Sequence, residues 1–220
     1  MTELPCCLLV VAKAPVPGLA KTRLAASIGD EAAADIAAAA LLDTLDAVAA
    51  APVSGRVVAF TGDLDAAARA DEIRTRLASF TVVPQRGDDF AQRLASAHAD
   101  AFTGEPVLQI GMDTPQVTAE LLTGCVRRLL DGDAVLGMAG DGGWWALGVS
   151  SPAAAACLVD VPMSQSDTGA LTLAAIRSTG TAVTLLPELD DVDTIDDIDA
   201  VRAVCPPSSR FAQITAKVGV

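Results

Sequence analysis

Apolar residues along the chain occur either in short continuous runs or in longer segments with helical spacing. The short runs predict strands covered on both faces, because they are too brief for buried helices. The longer segments repeat apolar positions every three or four residues and predict helices. The predicted strands are 6–11, 56–61, 81–83, 107–110, 133–138, 144–149 and 182–186, and the predicted helices are 31–50, 65–79, 88–102, 118–130, 152–158, 166–178 and 194–204.

Strands and helices that alternate in this way predict an α/β protein with a largely parallel sheet. The turn Gly140-Asp141-Gly142-Gly143 joins two predicted strands directly, so we expect one antiparallel strand. No Gly-, Ser- or Pro-rich linker divides the chain, and a single domain over 1–220 is the simplest organisation. Pro206-Pro207 ends the last predicted helix, and 205–220 is predicted to be a short tail.

Charge excludes one class of partner. The chain has 15 basic and 28 acidic residues, a net charge of −13, which argues against binding to a nucleic-acid backbone. No apolar run approaches the ~20 residues of a membrane span, and the first residues lack the basic segment of a signal peptide. We therefore expect a soluble, cytoplasmic protein.

Cysteine and histidine limit the chemistry further. The five cysteines are odd in number and have no Cys-x-x-Cys spacing, which is typical of core residues in a reducing compartment. His98 is the only histidine, and on its predicted helix we expect it to have no chemical role. His-rich zinc sites and Ser-His or Cys-His nucleophiles are thereby excluded. A metal here has to be a hard cation held by carboxylates, Mg²⁺ or Mn²⁺.

The segment around Asp113 is the first candidate site. The apolar run 107–110 ends at Gly111, and Pro115 prevents the strand from continuing. Asp113 is therefore predicted to lie at the carboxyl tip of an inner strand, the edge at which open α/β sheets bind ligands. Taken alone, the same residue fits a cap of the following helix equally well.

A basic loop follows the first predicted strand. Lys13, Lys21 and Arg23 lie within eleven residues, and Pro15, Pro17 and Gly18 stiffen and bend the loop, as its sequence Ala12-Lys-Ala-Pro-Val-Pro-Gly-Leu-Ala-Lys-Thr-Arg23 shows. Such a loop favours polyphosphate binding over an ordinary solvated surface. The glycines of a Walker A loop and of G-x-G-x-x-G are both missing, so neither a kinase-type nor a dinucleotide site is expected.

The segment 190–199 contains six aspartates. Asp196 and Asp197 are explained as the first turn of a helix capped by Thr194. Asp191 and Asp193 lie just upstream, where the loop could meet Asp113, and two carboxylates with phosphates and water suit Mg²⁺. Asp141 offers another carboxylate, although its spacing alone favours a simple hairpin turn.

Five motifs occur in order: Lys13-Ala-Pro-x-Pro-Gly-x-x-Lys-Thr-Arg-Leu24, Gln85-x-Gly-Asp88, Gly111-x-Asp-x-Pro115, Asp141-Gly-Gly143 and Asp191-Val-Asp-Thr194. This set resembles the bacterial family of GT-A-type transferases of unassigned function, whose members are often labelled glycosyltransferase and some of which are associated with arsenosugar biosynthesis. It is more distantly similar to guanylyltransferases of cofactor biosynthesis. The resemblance spans nearly the whole chain. Met112 and Trp144-Trp145 depart from the family pattern.

The resemblance implies a three-layer nucleotide-diphospho-sugar transferase (GT-A) fold. It also implies a role for each of the matching residues of the site. Lys13, Gly18, Lys21 and Arg23 would contact the nucleotide phosphates, and Gln85, Gly87 and Asp88 its base or ribose. Asp113 would be the principal metal ligand and Asp193 the second. Asp141, Gly142, Gly143 and the loop that contains Thr168 would face the acceptor.

Three functions remain open. A metal-dependent nucleotidyltransferase would join an NTP-derived nucleotide to a small phosphorylated acceptor, with Lys21, Arg23 and Asp113 acting in catalysis; the basic loop favours it. A GT-A glycosyltransferase with a nucleotide-sugar donor is favoured by the family label. The third is a non-catalytic nucleotide-binding protein. The sequence identifies neither the nucleotide base, the acceptor nor the oligomeric state.

Overall fold

The structure is a computed structural model that describes residues 2–218, and within them seven strands form one sheet. The strands are β1 (Leu4–Lys13), β2 (Val53–Thr61), β3 (Thr81–Pro84), β4 (Val107–Ile110), β5 (Ala134–Met138), β6 (Trp144–Val149) and β7 (Val183–Leu185). Their spatial order is β3-β2-β1-β4-β6-β5-β7, and only β6 runs antiparallel to its neighbours. The prediction of a mostly parallel sheet with one antiparallel strand is confirmed.

The helices connect these strands and cover the sheet. They are α1 (Thr22–Ile28), α2 (Asp30–Ala50), α3 (Ala70–Leu77), α4 (Phe90–Ala101), α5 (Ala119–Leu130), α6 (Pro152–Ala155), α7 (Thr168–Ser178), α8 (Ile195–Val204) and α9 (Arg210–Val218), with a 3₁₀ turn at Ala156–Asp160 after α6. None of the helices described is long and apolar enough to cross a membrane.

The side chains of β1 show how the three layers form. Alternate residues of a strand point to opposite faces. Leu8 and Val10 belong to the apolar cluster that contains α2 and α5, whereas Leu9 belongs to the cluster that contains α4 and α7. A strand buried on both faces needs a continuous apolar run, which is why 6–11 could be recognised in the sequence. Replacing fully buried Leu8 with Ala would cost about 2–5 kcal/mol.

Two segments differ from their predictions. The basic loop contains a short helix, α1, which the sequence analysis did not predict. The predicted tail includes helix α9, whose Phe211 is fully buried against α1, α2 and α8. Asp43 of α2 accepts hydrogen bonds from the backbone N–H groups of Arg210 (3.0 Å) and Phe211 (2.8 Å), while Ser209 caps the helix locally by accepting from the N–H of Ala212 (3.1 Å). The predicted domain and tail extend over residues 1, 219 and 220, which lie outside the described residues.

The topology brings the candidate residues to one edge. β1 and β4 are adjacent and parallel, although β1 is followed in sequence by β2 on its other side. The chain leaves β1 toward β2 on one side and later enters β4 on the other side, so the strand order reverses between β1 and β4. A crevice therefore opens outside the carboxyl ends of these two strands. The antiparallel strand β6 begins at this same edge with Trp144, because Ile110 at the end of β4 pairs with Ala146.

Candidate active site

A cleft of about 870 Å³ lies at the carboxyl edge of β1 and β4. It is bounded by the loop after β1, the turn after β4, the beginning of β6 and two further loops. Of the predicted site residues, those that line it are Lys13, Lys21, Arg23, Asp113, Asp141, Gly143, Thr168 and Asp193. Those that do not line it are Gly18, Gln85, Gly87, Asp88 and Gly142.

Asp113 and Lys21 form the central contact of the cleft. The Lys21 ammonium lies 2.9 Å from Oδ2 of Asp113 and 4.0 Å from Oδ1 of Asp193. The Lys21 side chain is only 10% exposed, whereas that of Asp113 is 36% exposed, so water screens the ammonium less than the carboxylate. The backbone of Lys21 is left-handed (φ 47°, ψ 49°), an uncommon conformation for a residue with a side chain. The cap of α5 is Thr118 and not Asp113, so the alternative of a helix cap does not apply.

Arg23 and Lys13 place two more cations beside this contact. The Arg23 guanidinium lies 2.7 Å from Oδ2 of Asp193, with three quarters of its side chain exposed. Lys13 Nζ donates a hydrogen bond to the backbone oxygen of Leu19 (3.0 Å), which closes the loop on itself. Gly18 turns the same loop with a φ of +76°. The loop therefore positions three cations that can meet an anionic ligand, and Gly18 contributes to its shape.

The segment 190–194 is held against the Asp113 turn by backbone contacts. The N–H of Val192 donates to the backbone oxygen of Asp113 (3.1 Å), and the Val192 side chain is buried. Thr194 and Asp197 form a capping box that starts α8 at the end of the segment. Asp191 and Asp193 are thereby fixed beside Asp113, as the spacing had suggested.

Asp191 is a candidate site residue to which the family resemblance assigns no role. It lines the cleft, and burial raises the pKa of its carboxyl group to about 6, with further increases from the negative charges of Asp141 and Asp113. Lys21 opposes this shift. A carboxylate that is desolvated among other carboxylates is stabilised by a bound cation. Asp193 already has Arg23 as a partner, so Asp191 is the better second ligand on electrostatic grounds.

The donor set fits a hard divalent cation. Oδ1 of Asp113 is buried and has no hydrogen-bond partner, and the Asp191 carboxyl is destabilised in its charged form. Within residues 2–218, no group of three or more His, Cys, Asp or Glu side chains is arranged to hold a metal ion. Two carboxylates completed by phosphate oxygens and water are nevertheless a common arrangement for Mg²⁺. The residues present therefore fit a metal whose remaining ligands come from a bound nucleotide and water.

Gln85, Gly87 and Asp88, which the family resemblance assigns to the base or ribose, lie in the β3–α4 loop and do not line the cleft. The Gln85 side chain donates to the backbone oxygens of Ala12 (2.9 Å) and Ala59 (3.0 Å), and so ties β1 to β2 at the cleft edge. Gly87 has a φ of +138°, and an added Cβ would lie 2.7 Å from the Gln92 side chain. These two residues shape the edge of the sheet.

The predicted acceptor region is built from two loops packed on one another. The N–H of Gly169 donates to the backbone oxygen of Gly142 (2.8 Å), and a Cβ at Gly142 would lie 1.8 Å from the oxygen of Ser166. The Thr168 hydroxyl donates to the backbone oxygen of Pro162 (2.9 Å) and accepts from the N–H of Gln165 (3.0 Å). Thr168 therefore holds the loop, while Asp141 is exposed in the cleft.

A second group of cleft residues is apolar. Phe90, whose helical spacing with Leu94 and Ala97 is typical of a core residue, is 48% exposed at the first turn of α4 and lines the cleft. Leu94, one turn later on the same helix, lies in the same apolar cluster as Trp144 and Met163. We call Phe90, Leu94, Trp144 and Met163 the apolar side of the cleft. The charged side consists of Lys13, Lys21, Arg23, Asp113, Asp141, Asp191 and Asp193.

Solved structures similar to this chain include proteins with transferase names. A protein from Desulfovibrio desulfuricans G20, provisionally named a nucleotide-diphospho-sugar transferase, is 26% identical with a TM-score of 0.82, over 100% of this chain and 96% of that one. A cytidylyltransferase from Leptospira borgpetersenii serovar Hardjo-bovis (strain JB197) is 12% identical with a TM-score of 0.58, over 99% and 94%. Rv0371c of Mycobacterium tuberculosis H37Rv, solved as a manganese complex, is 20% identical with a TM-score of 0.55, over 90% and 97%. The predicted nucleotide-diphospho-sugar transferase fold is confirmed.

Sequence comparison gives the family. None of the curated proteins compared with the chain matches it. One family profile, described as "Uncharacterized protein conserved in bacteria (DUF2064)", matches residues 44–165, which include the Asp113 turn and the Asp141 turn. This match covers more than half of the sequence, and the predicted resemblance to a bacterial transferase family of unassigned function is confirmed. The chain belongs to the DUF2064 family.

Proposed function

We propose that this protein is a metal-dependent nucleotidyltransferase that joins an NTP-derived nucleotide to a small phosphorylated acceptor. The observation that carries the proposal is the contact of Lys21 with Asp113 beside Arg23 and Asp193, because it combines phosphate-binding cations with metal-binding carboxylates in one cleft. Similarity to a cytidylyltransferase and to a manganese complex supports the same reading.

In this proposal the charged side binds the nucleotide. Lys13, Lys21 and Arg23 contact the triphosphate, and Asp113 with Asp191 or Asp193 holds Mg²⁺ or Mn²⁺. The bound metal neutralises charge on the phosphates and on the pyrophosphate leaving group. Because Lys21 is largely buried, its ammonium interacts with phosphate charge more strongly than a solvated lysine would.

The reaction needs positioning and charge stabilisation more than a covalent nucleophile. An oxygen of the acceptor phosphate attacks the α-phosphorus of the NTP, the bond from that phosphorus to the bridging oxygen of the β-phosphate breaks, and pyrophosphate leaves. Lys21 and Arg23 stabilise the negative charge that develops on this leaving group. The apolar side and Asp141 face the remaining space, where we place the acceptor.

Glycosyl transfer is the second candidate, because the 26% identical structure is provisionally named a nucleotide-diphospho-sugar transferase. An acceptor hydroxyl would then attack the sugar carbon, and a nucleoside diphosphate would leave. The same phosphate and metal contacts serve both reactions. What separates them is whether the cleft selects a triphosphate or a sugar diphosphate.

Isothermal titration tests the choice directly. ATP, CTP, GTP, UTP and several nucleotide-sugars are titrated into the protein with and without MnCl₂. Metal-dependent binding of one NTP in preference to the nucleotide-sugars is the expected result. Tight binding of a nucleotide-sugar without preference for any NTP would establish the glycosyltransferase instead. Asp160→Asn removes one exposed carboxylate outside the cleft and should leave this binding unchanged.

A further inference from the structure

Both carboxylates predicted to bind metal already have partners from this chain. Lys21 lies 2.9 Å from Oδ2 of Asp113, and Arg23 lies 2.7 Å from Oδ2 of Asp193. Of these two cations, Lys21 is the buried one, at 10% side-chain exposure against 75% for Arg23. The charge of Asp113 is therefore neutralised by a group that water screens only weakly.

A divalent ion and the Lys21 ammonium compete for Asp113. Mg²⁺ binds carboxylate oxygens at about 2.0–2.1 Å, so an ion on Oδ2 requires the space next to the ammonium. An ion on Oδ1, the buried oxygen without a partner, would still have Lys21 as a neighbour on the same carboxylate. Repulsion between a monovalent and a divalent cation at such separations is large when both are partly desolvated.

Once a nucleotide binds, its phosphates offer the Lys21 ammonium an alternative anionic partner to Asp113. Its flexible four-carbon stem can carry the ammonium to a phosphate oxygen without movement of the backbone. The triphosphate is also the stronger attraction, because it carries several negative charges and lies along the loop that contains Lys21. When the ammonium moves, the Asp113 carboxylate becomes available.

From this geometry, and building on the proposed function, we infer that Lys21 occupies the cation position at Asp113 until nucleotide phosphates withdraw it, so that metal binding depends on nucleotide. Lys21 thereby orders the two binding steps, nucleotide first and metal second. By linkage, the factor by which nucleotide strengthens metal binding equals the factor by which metal strengthens nucleotide binding.

The test measures Mn²⁺ binding without nucleotide, by electron paramagnetic resonance of free Mn²⁺ in titrations with MnCl₂. Lys21→Met should bind Mn²⁺ about tenfold more tightly than the wild type or better, within the range of ordinary coupling factors. Lys217→Met is the matched control, since it removes one exposed lysine outside the cleft, and its Mn²⁺ affinity should change by less than about threefold. An equal gain in both variants would show a general charge effect and overturn the inference.

A second variant and a second condition complete the test. Lys21→Gly should give the same gain, because glycine tolerates the left-handed backbone at this position, and circular dichroism checks that each variant folds. With saturating CTP or GTP, whichever binds, the advantage of Lys21→Met should disappear or reverse. An unchanged or weakened Mn²⁺ affinity of Lys21→Met, or a tenfold advantage that persists with nucleotide, would overturn the inference.

Asp113→Asn separates this inference from the proposed function. If, with saturating nucleotide, Asp113→Asn binds Mn²⁺ as well as the wild type does, the proposed metal site itself is wrong. If Asp113→Asn loses Mn²⁺ binding with nucleotide present, and Lys21→Met does not tighten Mn²⁺ binding without nucleotide, the metal site stands and the competition by Lys21 is wrong.

Discussion

The two sides of the cleft contain side chains of opposite character, although they face the same space. The charged side combines three cations with four carboxylates, and it lies next to the apolar clusters of α1, α2 and α8. The apolar side consists of Phe90, Leu94, Trp144 and Met163, and it continues the cluster on the other face of the sheet. Binding on the charged side should therefore depend on salt and metal, and binding on the apolar side on buried area.

The largest effect should come from the charged side, at Asp113. Asp113→Asn keeps the shape of the side chain but removes the charge that we assign to metal binding. We expect metal-dependent nucleotide binding to fall more than about a hundredfold, since loss of residues that merely orient metal ligands already costs 10–100-fold. Isothermal titration with MnCl₂ measures it, and a melting temperature within a few degrees of the wild type would show that the loss is not one of folding. A large drop in melting temperature would instead make Asp113 a structural residue.

The second effect concerns the pH dependence of stability and comes from His98 on α4, the helix that contributes Phe90 and Leu94 to the apolar side. His98 on α4 is fully buried, neither ring nitrogen has a hydrogen-bond partner, and burial lowers its pKa to about 4. Between pH 6.5 and pH 4 the unfolded chain binds a proton that the folded chain excludes. The free energy of unfolding therefore decreases as the pH is lowered through this range. The shift corresponds to a loss of ~3 kcal/mol at pH 4. His98→Leu should lack this loss, as measured by denaturant unfolding of both proteins across the range, and the same acid slope in both would contradict it.

Lys21→Ala should have an intermediate effect on the charged side. A charge-assisted contact is worth about 1.5–3 kcal/mol, so nucleotide affinity in the presence of Mn²⁺ should fall roughly 10–100-fold. Raising the NaCl concentration should weaken binding by the wild type more than by the variant. Lys217→Ala removes an equal charge from an exposed position outside the cleft and should leave affinity unchanged. Equal affinities for wild type and Lys21→Ala would remove Lys21 from the site.

The smallest effect should come from Phe90 on the apolar side. Phe90→Ala removes exposed aromatic surface, so binding of the fluorescent probe 8-anilino-1-naphthalenesulfonate should weaken by a few-fold, the size of a single aromatic contact. Nucleotide affinity should stay within about twofold, because the phosphates are bound on the other side. Leu185→Ala, at an exposed apolar position on β7, is the control. A loss of nucleotide affinity comparable with that of Lys21→Ala would mean that the two sides are not separate.

The central strands and the Asp113 turn could be predicted because their signals are local. Residues 107–110 form a continuous apolar run, and the structure buries all four of them in β4. Gly111 and Pro115 fix where the strand stops. The position of Asp113 at the carboxyl edge follows from the strand itself and from the parallel sheet that alternating elements imply.

Features that depend on distant contacts could not be predicted from the sequence. Helix α9 has a local N-cap in Ser209, but the hydrogen bonds of its first N–H groups to Asp43 join residues more than 160 positions apart, which the sequence pattern does not predict. Phe90 has the helical spacing of a core residue, but the first turn of α4 lies at the cleft, where half of its side chain remains exposed. Whether Asp191 or Asp193 is the desolvated carboxylate depends on how the segment 190–194 packs against the Asp113 turn, which spacing does not determine.

A crystal structure with Mn²⁺ and the NTP that binds most tightly would test the central claim most directly, through the anomalous signal of manganese. We predict a manganese peak within bonding distance of an Asp113 carboxylate oxygen, with Asp191 or Asp193 as a second ligand, and the Lys21 ammonium on the phosphates. A manganese peak away from Asp113, or a triphosphate that does not contact Lys21 and Arg23, would contradict it.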